Sequence, residues 1–514
     1  MTLTVLAPVL MPALAACAYR LLGWNRGTAW LGALASGVLL AAAVVLTGTA
    51  GAVTVWGLLR ADALSAFMLV VIGAVALLAT LAAPAYLSAE LAAGRVDVRA
   101  AGRYGVLTQA FIAAMALAVL ASNLGVMWVA IEATTILTAF LVGFHPSKQA
   151  TEAAWKYVVI CSAGIMLAFL GIVIVHYVAL HAGLPPADAL DGAALARRAA
   201  DLDPGVMRLA AVLLVLGFGT KAGLAPMHAW LPDAHSQAPA PVSALMSGVL
   251  LSVAFYAILR VKVIADVALG PATMRVLLVA AALASLAVAA ALLLAQRDYK
   301  RLLAYSSIEH MGLIALGAAI GTRLALAAVL LHILGHGLGK SALFLSSGHL
   351  YQALGSSRID AVRGLALRSP LLAGAFALGA LALLGMPPFS LFASELGIVR
   401  AGFAAGLGWA IALALLLMLA IVAAVGRHGR RMLLGSPEPA IKDLAIKDME
   451  DTAPPIGQPG AHPRAQPRAQ PIVLPRTAAL AVIAALVACA LLGITTSPLG
   501  DLLHDAAAIA GATP

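Results

Sequence analysis

Apolar runs long enough to cross a bilayer recur from one end of the chain to the other, and they constrain the fold more than any other feature. A crossing helix needs about 20 residues, with a tolerated range of roughly 17 to 25. Runs near that length are read at Leu3–Tyr19, Trp30–Thr47, Ala63–Leu87, Val106–Ala121, Leu124–Phe144, Trp155–Leu180 and Val206–Leu224. They continue at Val242–Leu259, Met274–Ala295, Tyr305–Ile320, Leu324–Leu350, Pro370–Arg400 with a break, Leu407–Val425 and Thr477–Ile494. Backbone groups in hydrocarbon must find their partners inside the segment, so these runs are read as helices. The expectation is an all-α polytopic membrane protein with about 14 transmembrane helices. Composition agrees: 63% of residues are hydrophobic and 11% charged, against about 25% charged in soluble domains.

The net charge of +10 would point to nucleic acid in a soluble chain. Here Lys and Arg sit in loops and read as topology signals. They concentrate in alternate loops, on the side holding Arg95, Arg99, Arg103, Lys148, Arg297, Lys300, Arg301 and Arg358. The opposite side holds fewer, among them Arg60, Arg197, Arg260 and Lys262. The richer side is expected to be cytoplasmic, which leaves both termini periplasmic. The one shift in composition, residues 428–475, is rich in proline and repeats Pro-Arg-Ala-Gln from Pro463 and Pro467. It has nothing to bury and is predicted to be a disordered cytoplasmic loop. Cys17, Cys161 and Cys489 are far apart in apolar runs, a pattern that argues against a disulfide framework, a zinc site or an iron–sulfur cluster in this chain. Leu14-Ala15-Ala16-Cys17 looks like a lipoprotein cleavage box, but no charge precedes it, so a first membrane helix is expected.

Ionisable residues inside the apolar runs are the functional candidates, because a charge at bilayer depth costs roughly 2.5–3.5 kcal/mol. Phe218–His235 reads FGTKAGLAPMHAWLPDAH. It places Lys221 in an apolar helix, breaks that helix with Pro226 and Pro232, and adds His228, Asp233 and His235. A second break, Gly385-Met386-Pro387-Pro388-Phe389-Ser390, interrupts the twelfth run and is followed by Glu395. Paired broken helices point to an inverted repeat. The expected halves are helices four to eight, residues 105–265, and helices nine to thirteen, residues 270–427. They are flanked by 1–104 and 476–514. Glu132 lies in the fifth run among Thr134, Thr135 and Thr138, and is expected to pair with Lys221 rather than with the threonines alone. His332, His336 and Lys340 share one helix face at spacings of four, and such a row suits a proton relay. Gly335, Gly337 and Gly339 would leave room there for water. The segment Gly335–Ser341 is one residue short of a phosphate loop, and His332 with His336 lacks a local third metal ligand, so nucleotide and metal are not expected. Glu309 and His310, at the mouth of the tenth run, either extend the relay or meet the headgroups.

Phe218–His235, the following SQAPAPVSALMSGVLL, and LLAYSSIEHMGLIALG from Leu302 to Gly317 together resemble the antiporter-like proton-channel subunits of respiratory complex I. Within that family the chain is similar to component F of the membrane-bound hydrogenase-4 and formate hydrogenlyase group. The resemblance implies two inverted five-helix repeats, broken at helices 7 and 12, in a bacterial inner membrane. It further implies proton translocation through Glu132, Lys221, His336, Lys340 and Glu395, with His228, His235 and His332 as further candidates on the residues' own account. Many relatives carry a lysine where this chain has Ser252, and a hydroxyl cannot hold a proton charge. No cofactor is expected in this chain. Iron–sulfur and nickel–iron centres would belong to partner subunits of a soluble redox arm, alongside other membrane subunits. The rival reading is a subunit of a cation (Na+)/proton antiporter without a redox arm.

Overall fold

The computed structural model describes residues 1–49, 51–435 and 474–513. Of the proline-rich loop expected at 428–475, residues 436–473 lie outside the described residues; the expected start is corrected, because the helix before it continues to Leu434. Helices α1 (Thr2–Leu22) and α2 (Leu31–Thr47) lead through strands β1 (Val53–Val55) and β2 (Leu59–Ala61) to α3 (Ala63–Ala92), α4 (Val98–Leu120), α5 (Leu124–Val142) and α6 (Lys148–His181). After α7 (Gly192–Arg197) come α8 (Pro204–Ala222), α9 (Trp230–Gln237) and α10 (Ala240–Leu245), which runs through a π-helical turn at Met246–Leu250 into α11 (Leu251–Leu269). Next are α12 (Pro271–Leu294), α13 (Tyr299–Ile320), α14 (Arg323–Leu354), α15 (Leu365–Arg368), α16 (Pro370–Leu383), α17 (Ser390–Ala404) and α18 (Gly408–Leu434). The last elements are α19 (Arg476–Ile494) and α20 (Gly500–Ile509).

Among the described residues, 13 helices are long and apolar enough to cross a membrane. The shorter pair α16 and α17 stands where the broken twelfth run was read. Most of these helices have little polar face to fix their ends, and side-chain caps do so instead. Asp62, Asp97, Asn123, Ser147, Asp203, Asp298 and Thr322 each accept from a backbone N–H in the first turn of the helix that follows. The β1–β2 hairpin departs from the all-α expectation. It pairs Val53 with Ala61 and Val55 with Leu59, and its turn holds Trp56 and Gly57 at φ 53° and 68°, the left-handed geometry that tight hairpins favour.

Burial divides the bundle. The most apolar stretches of α10–α11, α13 and α14 are wholly buried, whereas those of α18 and α19 are only 33% buried. The helices richest in polar side chains are therefore the central ones. Close backbone approach sets their packing. A Cβ at Gly217 would lie 2.5 Å from Ala168 N, which brings α8 hard against α6. The α14 glycines serve the same purpose and leave no room for water: a Cβ at Gly337 would lie 2.9 Å from Gly248 O, and one at Gly335 2.3 Å from Ser390 Oγ.

Both helix breaks are built alike. At the first, Gly223 adopts φ 77° while Gly223 N donates to Thr220 O and Leu224 N to Gly219 O. At the second, Gly385 adopts φ 60° while Gly385 N donates to Ala382 O and Met386 N to Leu381 O. This double bond with a left-handed glycine satisfies the last carbonyls of a helix. A cis X-Pro peptide follows each glycine at the same distance, Ala225–Pro226 and Pro387–Pro388. At the first break Trp230 Nε1 also donates to Thr220 O at 2.9 Å, and Ala225 N to Ser285 Oγ at 2.9 Å. Pro232 does not break a helix; it sits in the first turn of α9, where a missing N–H costs nothing.

Arg260 and Lys262, expected in a loop, lie inside α11 because each has a carboxylate partner. Arg260 holds Asp62 through Nη1 at 2.8 Å and Nη2 at 2.7 Å, and its Nε donates to Tyr256 OH at 2.8 Å. Lys262 donates to Asp266 at 2.5 Å. Removing one member of a largely buried pair strands the other, at up to about 3–5 kcal/mol. Arg260→Ala is therefore expected to lower the thermal midpoint of the detergent-solubilised protein markedly, while Asp62→Leu combined with Arg260→Met restores part of the loss. Differential scanning fluorimetry checks both.

Candidate functional site

Lys221 lies in the last turn of α8, two residues before the glycine of the first break, and is completely buried. Its Nζ donates to Thr135 Oγ1 at 2.8 Å and to Tyr157 OH at 2.5 Å, and it lies 4.8 Å from the centre of the Tyr157 ring. Thr135 Oγ1 in turn donates to Glu132 Oε2 at 3.0 Å, and Ser162 Oγ donates to Glu132 Oε1 at 3.1 Å. The expected Glu132–Lys221 pair is thus corrected. No direct ion pair joins the two, because the Thr135 hydroxyl stands between them.

The direction of these bonds is fixed. Thr138 Oγ1 donates to Thr134 O at 2.6 Å, so it accepts from Tyr157 OH, and the tyrosine oxygen is left to accept from lysine. Both partners of Lys221 are therefore acceptors. An ammonium has three N–H bonds and an amine two, so two can stay in the cradle whether or not the third proton is present. That is a holder for a group that gains and loses one proton without changing place.

Lys340 is built in the same way on α14. Completely buried, it donates to Leu303 O at 2.6 Å and to Ser306 Oγ, whose own proton goes to Leu303 O at 3.1 Å. A cavity of about 20 Å³ is lined by Ser306, Leu303, Glu309 and His428. Glu309 is 4% exposed and His310 0%. Neither is at a helix mouth, because α13 starts at Tyr299, two turns earlier than read from the sequence. His332 and His336 are completely buried, but they do not form a row by themselves. His310 of α13 comes between them, with its Nδ1 3.1 Å from His332 Nε2 and its ring centre 5.0 Å from that of His336.

Among the other expected residues, His235 is buried edge-on to Trp230 and Phe344, and neither its ring nitrogens nor those of His336 have a hydrogen-bond partner among the described residues. His228 is half-buried in the break and not hydrogen-bonded to Lys221. Ser252 is buried with its hydroxyl unpartnered, while Ser247 and Ser307 join α11's π turn to α13 at 2.7 Å. Glu395 is half-buried beside the second break, where a Cβ on Gly385 would lie 2.1 Å from its Oε2. Asp233 on α9 is clamped by Lys156 of α6 and Arg301 of α13, each at 3.2 Å.

Sequence reasoning missed Tyr157, which has no motif around it, and treated Thr135 only as a neighbour of Glu132. Its spacing of three from Glu132 was the available signal, since residues three apart meet on a helix.

These features define a class: a multi-pass membrane protein with buried lysines and imidazoles, and carboxylates beside them, within its apolar helices. Residues 121–420 match the family described as NADH:quinone oxidoreductase/Mrp antiporter, TM, and the chain belongs to that family. It is 38% identical over 319 residues to the hydrogenase-4 component F homolog of Methylacidiphilum infernorum, covering 62% of this chain and 67% of that protein. Matches to other relatives cover about half of their length, 54% and 50%. Among solved structures the fold is similar to a chain of the membrane-bound sulfane sulfur reductase, an archaeal respiratory membrane complex. There the TM-score is 0.83 and the identity 22%, covering 100% of this chain and 98% of that one. It is also similar to a chain of the Mrp complex from Dietzia sp., at TM-score 0.82 and 24% identity, covering 99% of this chain and 98% of that one.

The burial of Lys221 and Lys340 can be read chemically. Amine-directed labelling of the intact protein in detergent, read by mass spectrometry, should modify Lys148 and Lys156, which is 47% exposed, and spare Lys221 and Lys340 until the protein unfolds.

Proposed function

We propose that this chain is a proton-translocating membrane subunit of a redox-driven complex of the hydrogenase and complex I kind. The observation that carries the reading is the Lys221 cradle, a fully buried amine tied to Glu132 through one hydroxyl at a helix break. The two broken halves are read as inverted repeats, the richer Lys and Arg side as cytoplasmic and both termini as periplasmic. The protein sits in the bacterial inner membrane.

In this scheme Glu132 stabilises the Lys221 ammonium through Thr135. Motion in neighbouring subunits that draws Glu132 or Thr135 away leaves a lone buried cation, at about 3–5 kcal/mol. That equals moving one charge against roughly 130–220 mV, at about 2.3 kcal/mol per 100 mV. The proton then leaves Lys221 inward. Ser252 and the Ser247–Ser307 pair line the way with hydroxyls, which order water but do not store charge. Unpartnered nitrogens on His235 and His336 supply acceptors ahead of Lys340, and His310 and His332 lead to Glu395. Asp233 ties the two lysine sites together from the cytoplasmic end: Lys156 adjoins Tyr157 in the first cradle, and Arg301 lies two residues from Leu303 in the second.

The redox centres are assigned to partner chains, as iron–sulfur and nickel–iron sites in a soluble arm, with further membrane subunits alongside. Likeness to an Mrp complex supports the second reading, a cation/proton antiporter subunit without a redox arm. Gentle purification from the native membrane followed by mass spectrometry separates the two. Co-purifying hydrogenase and iron–sulfur subunits uphold the first; small membrane antiporter subunits alone uphold the second. In either assembly, Thr135→Val severs the bridge with almost no change of shape. It should cut proton uptake into vesicles at least tenfold, and Thr135→Ser should restore most of it. Equal rates for the two variants would show that the bridge is not used.

A further inference from the structure

One donor atom each from His310, His332 and Glu395 lies within 4.8 Å of the other two, where α13, α14 and α17 meet. The hydrogen bonds around them fix which atoms carry protons. The Ser394 hydroxyl donates to Leu391 O at 2.8 Å, so at His332 Nδ1, 2.9 Å away, it can only accept. Neutral His332 therefore keeps its proton on Nδ1 and presents the Nε2 lone pair to His310 Nδ1 at 3.1 Å. His310 Nε2 is buried without a partner among the described residues. The Glu395 carboxylate, resting on the backbone at Gly385, accepts no hydrogen bond among the described residues. In the bond between the two imidazoles His310 Nδ1 carries the proton; in the other tautomer, with the proton on Nε2, Nδ1 becomes an electron-pair donor beside His332 Nε2 and Glu395, and a partner of fixed tautomer stands behind His332.

We propose that His310, His332 and Glu395 form a binding site for a divalent ion of the zinc class, completed by a solvent ligand. Zinc takes imidazole nitrogen at about 2.0–2.1 Å and carboxylate oxygen at about 2.0–2.2 Å in a tetrahedron. Two nitrogens held that way are about 3.3 Å apart, close to the 3.1 Å found between His310 and His332. Rotation of the Glu395 side chain brings its oxygen into reach. Ser394 is the positioning residue: by holding His332 Nδ1–H it aims Nε2 at the ion, and such outer partners are worth about 10–100-fold in affinity. The pair of histidines one turn apart on α14 looked incapable of holding a metal for want of a third ligand. The fold replaces His336 with His310 and brings in Glu395 from a segment 63 residues beyond His332. Bound there, the ion occupies the end of the proposed proton route and blocks it; this consequence, unlike the binding itself, rests on the proton-translocating reading.

The test uses the purified native complex carrying no polyhistidine tag, stripped with chelator and titrated with Co2+ and Zn2+. Visible absorption of tetrahedral Co2+ and zinc content after desalting are the readouts. One saturable equivalent is expected in the unaltered protein. His310→Gln and His332→Gln should lose it, Ser394→Ala should weaken it about 10–100-fold, and His504→Ala should keep it. Lys221→Ala should still bind the ion although proton uptake fails, which separates the two readings. Absence of saturable binding, or binding equally tight in His332→Gln and Ser394→Ala, would overturn the site.

Discussion

A lysine removed from water, hydrogen-bonded among the described residues only to neutral hydroxyls, is the constraint on which the rest of the structure depends. Charge at that depth is tolerated only near countercharge or water, and Lys221 meets its carboxylate through a single threonine. Everything around it serves that arrangement. The contact between α6 and α8 at Gly217 sets Tyr157 beside the amine, the left-handed Gly223 ends α8 just past it, and Trp230 caps the carbonyl that the break exposes. A direct ion pair would hold the proton more firmly. An intervening hydroxyl leaves a linkage that a small movement can open.

The two halves of the chain repeat a device more than they repeat residues. Each break follows the same glycine, hydrogen-bond and proline pattern, yet the first carries a lysine two residues before its glycine and the second carries Leu383 there. The second half places its lysine on α14 instead, and its acid, Glu395, against the glycine of the break. The second break is thus matched by a different set of polar residues from the first.

Much of this was legible in the sequence for physical reasons. Apolar run length gave the helices, because hydrocarbon admits few alternatives, and intramembrane charge gave Lys221, Glu132, Lys340 and Glu395. What stayed hidden depends on contacts between distant segments. Tyr157, Ser394 and Ser306 are ordinary helix residues until α8 brings Lys221 to the first and α14 brings His332 and Lys340 to the other two. Glu309 and His310 were misplaced because α13 begins six residues before its apolar stretch, with Lys300 buried and donating to Ser236 O. Arg260 and Lys262 were read as loop charges because the partner carboxylate of one, Asp62, lies 198 residues away.

The most direct measurement is proton translocation by the native complex in sealed vesicles, with electron flow monitored in parallel, for the unaltered chain and for Lys221→Ala. The account predicts that the variant assembles and still passes electrons while net proton movement through this subunit is lost. Undiminished proton movement in an assembled Lys221→Ala complex would contradict it.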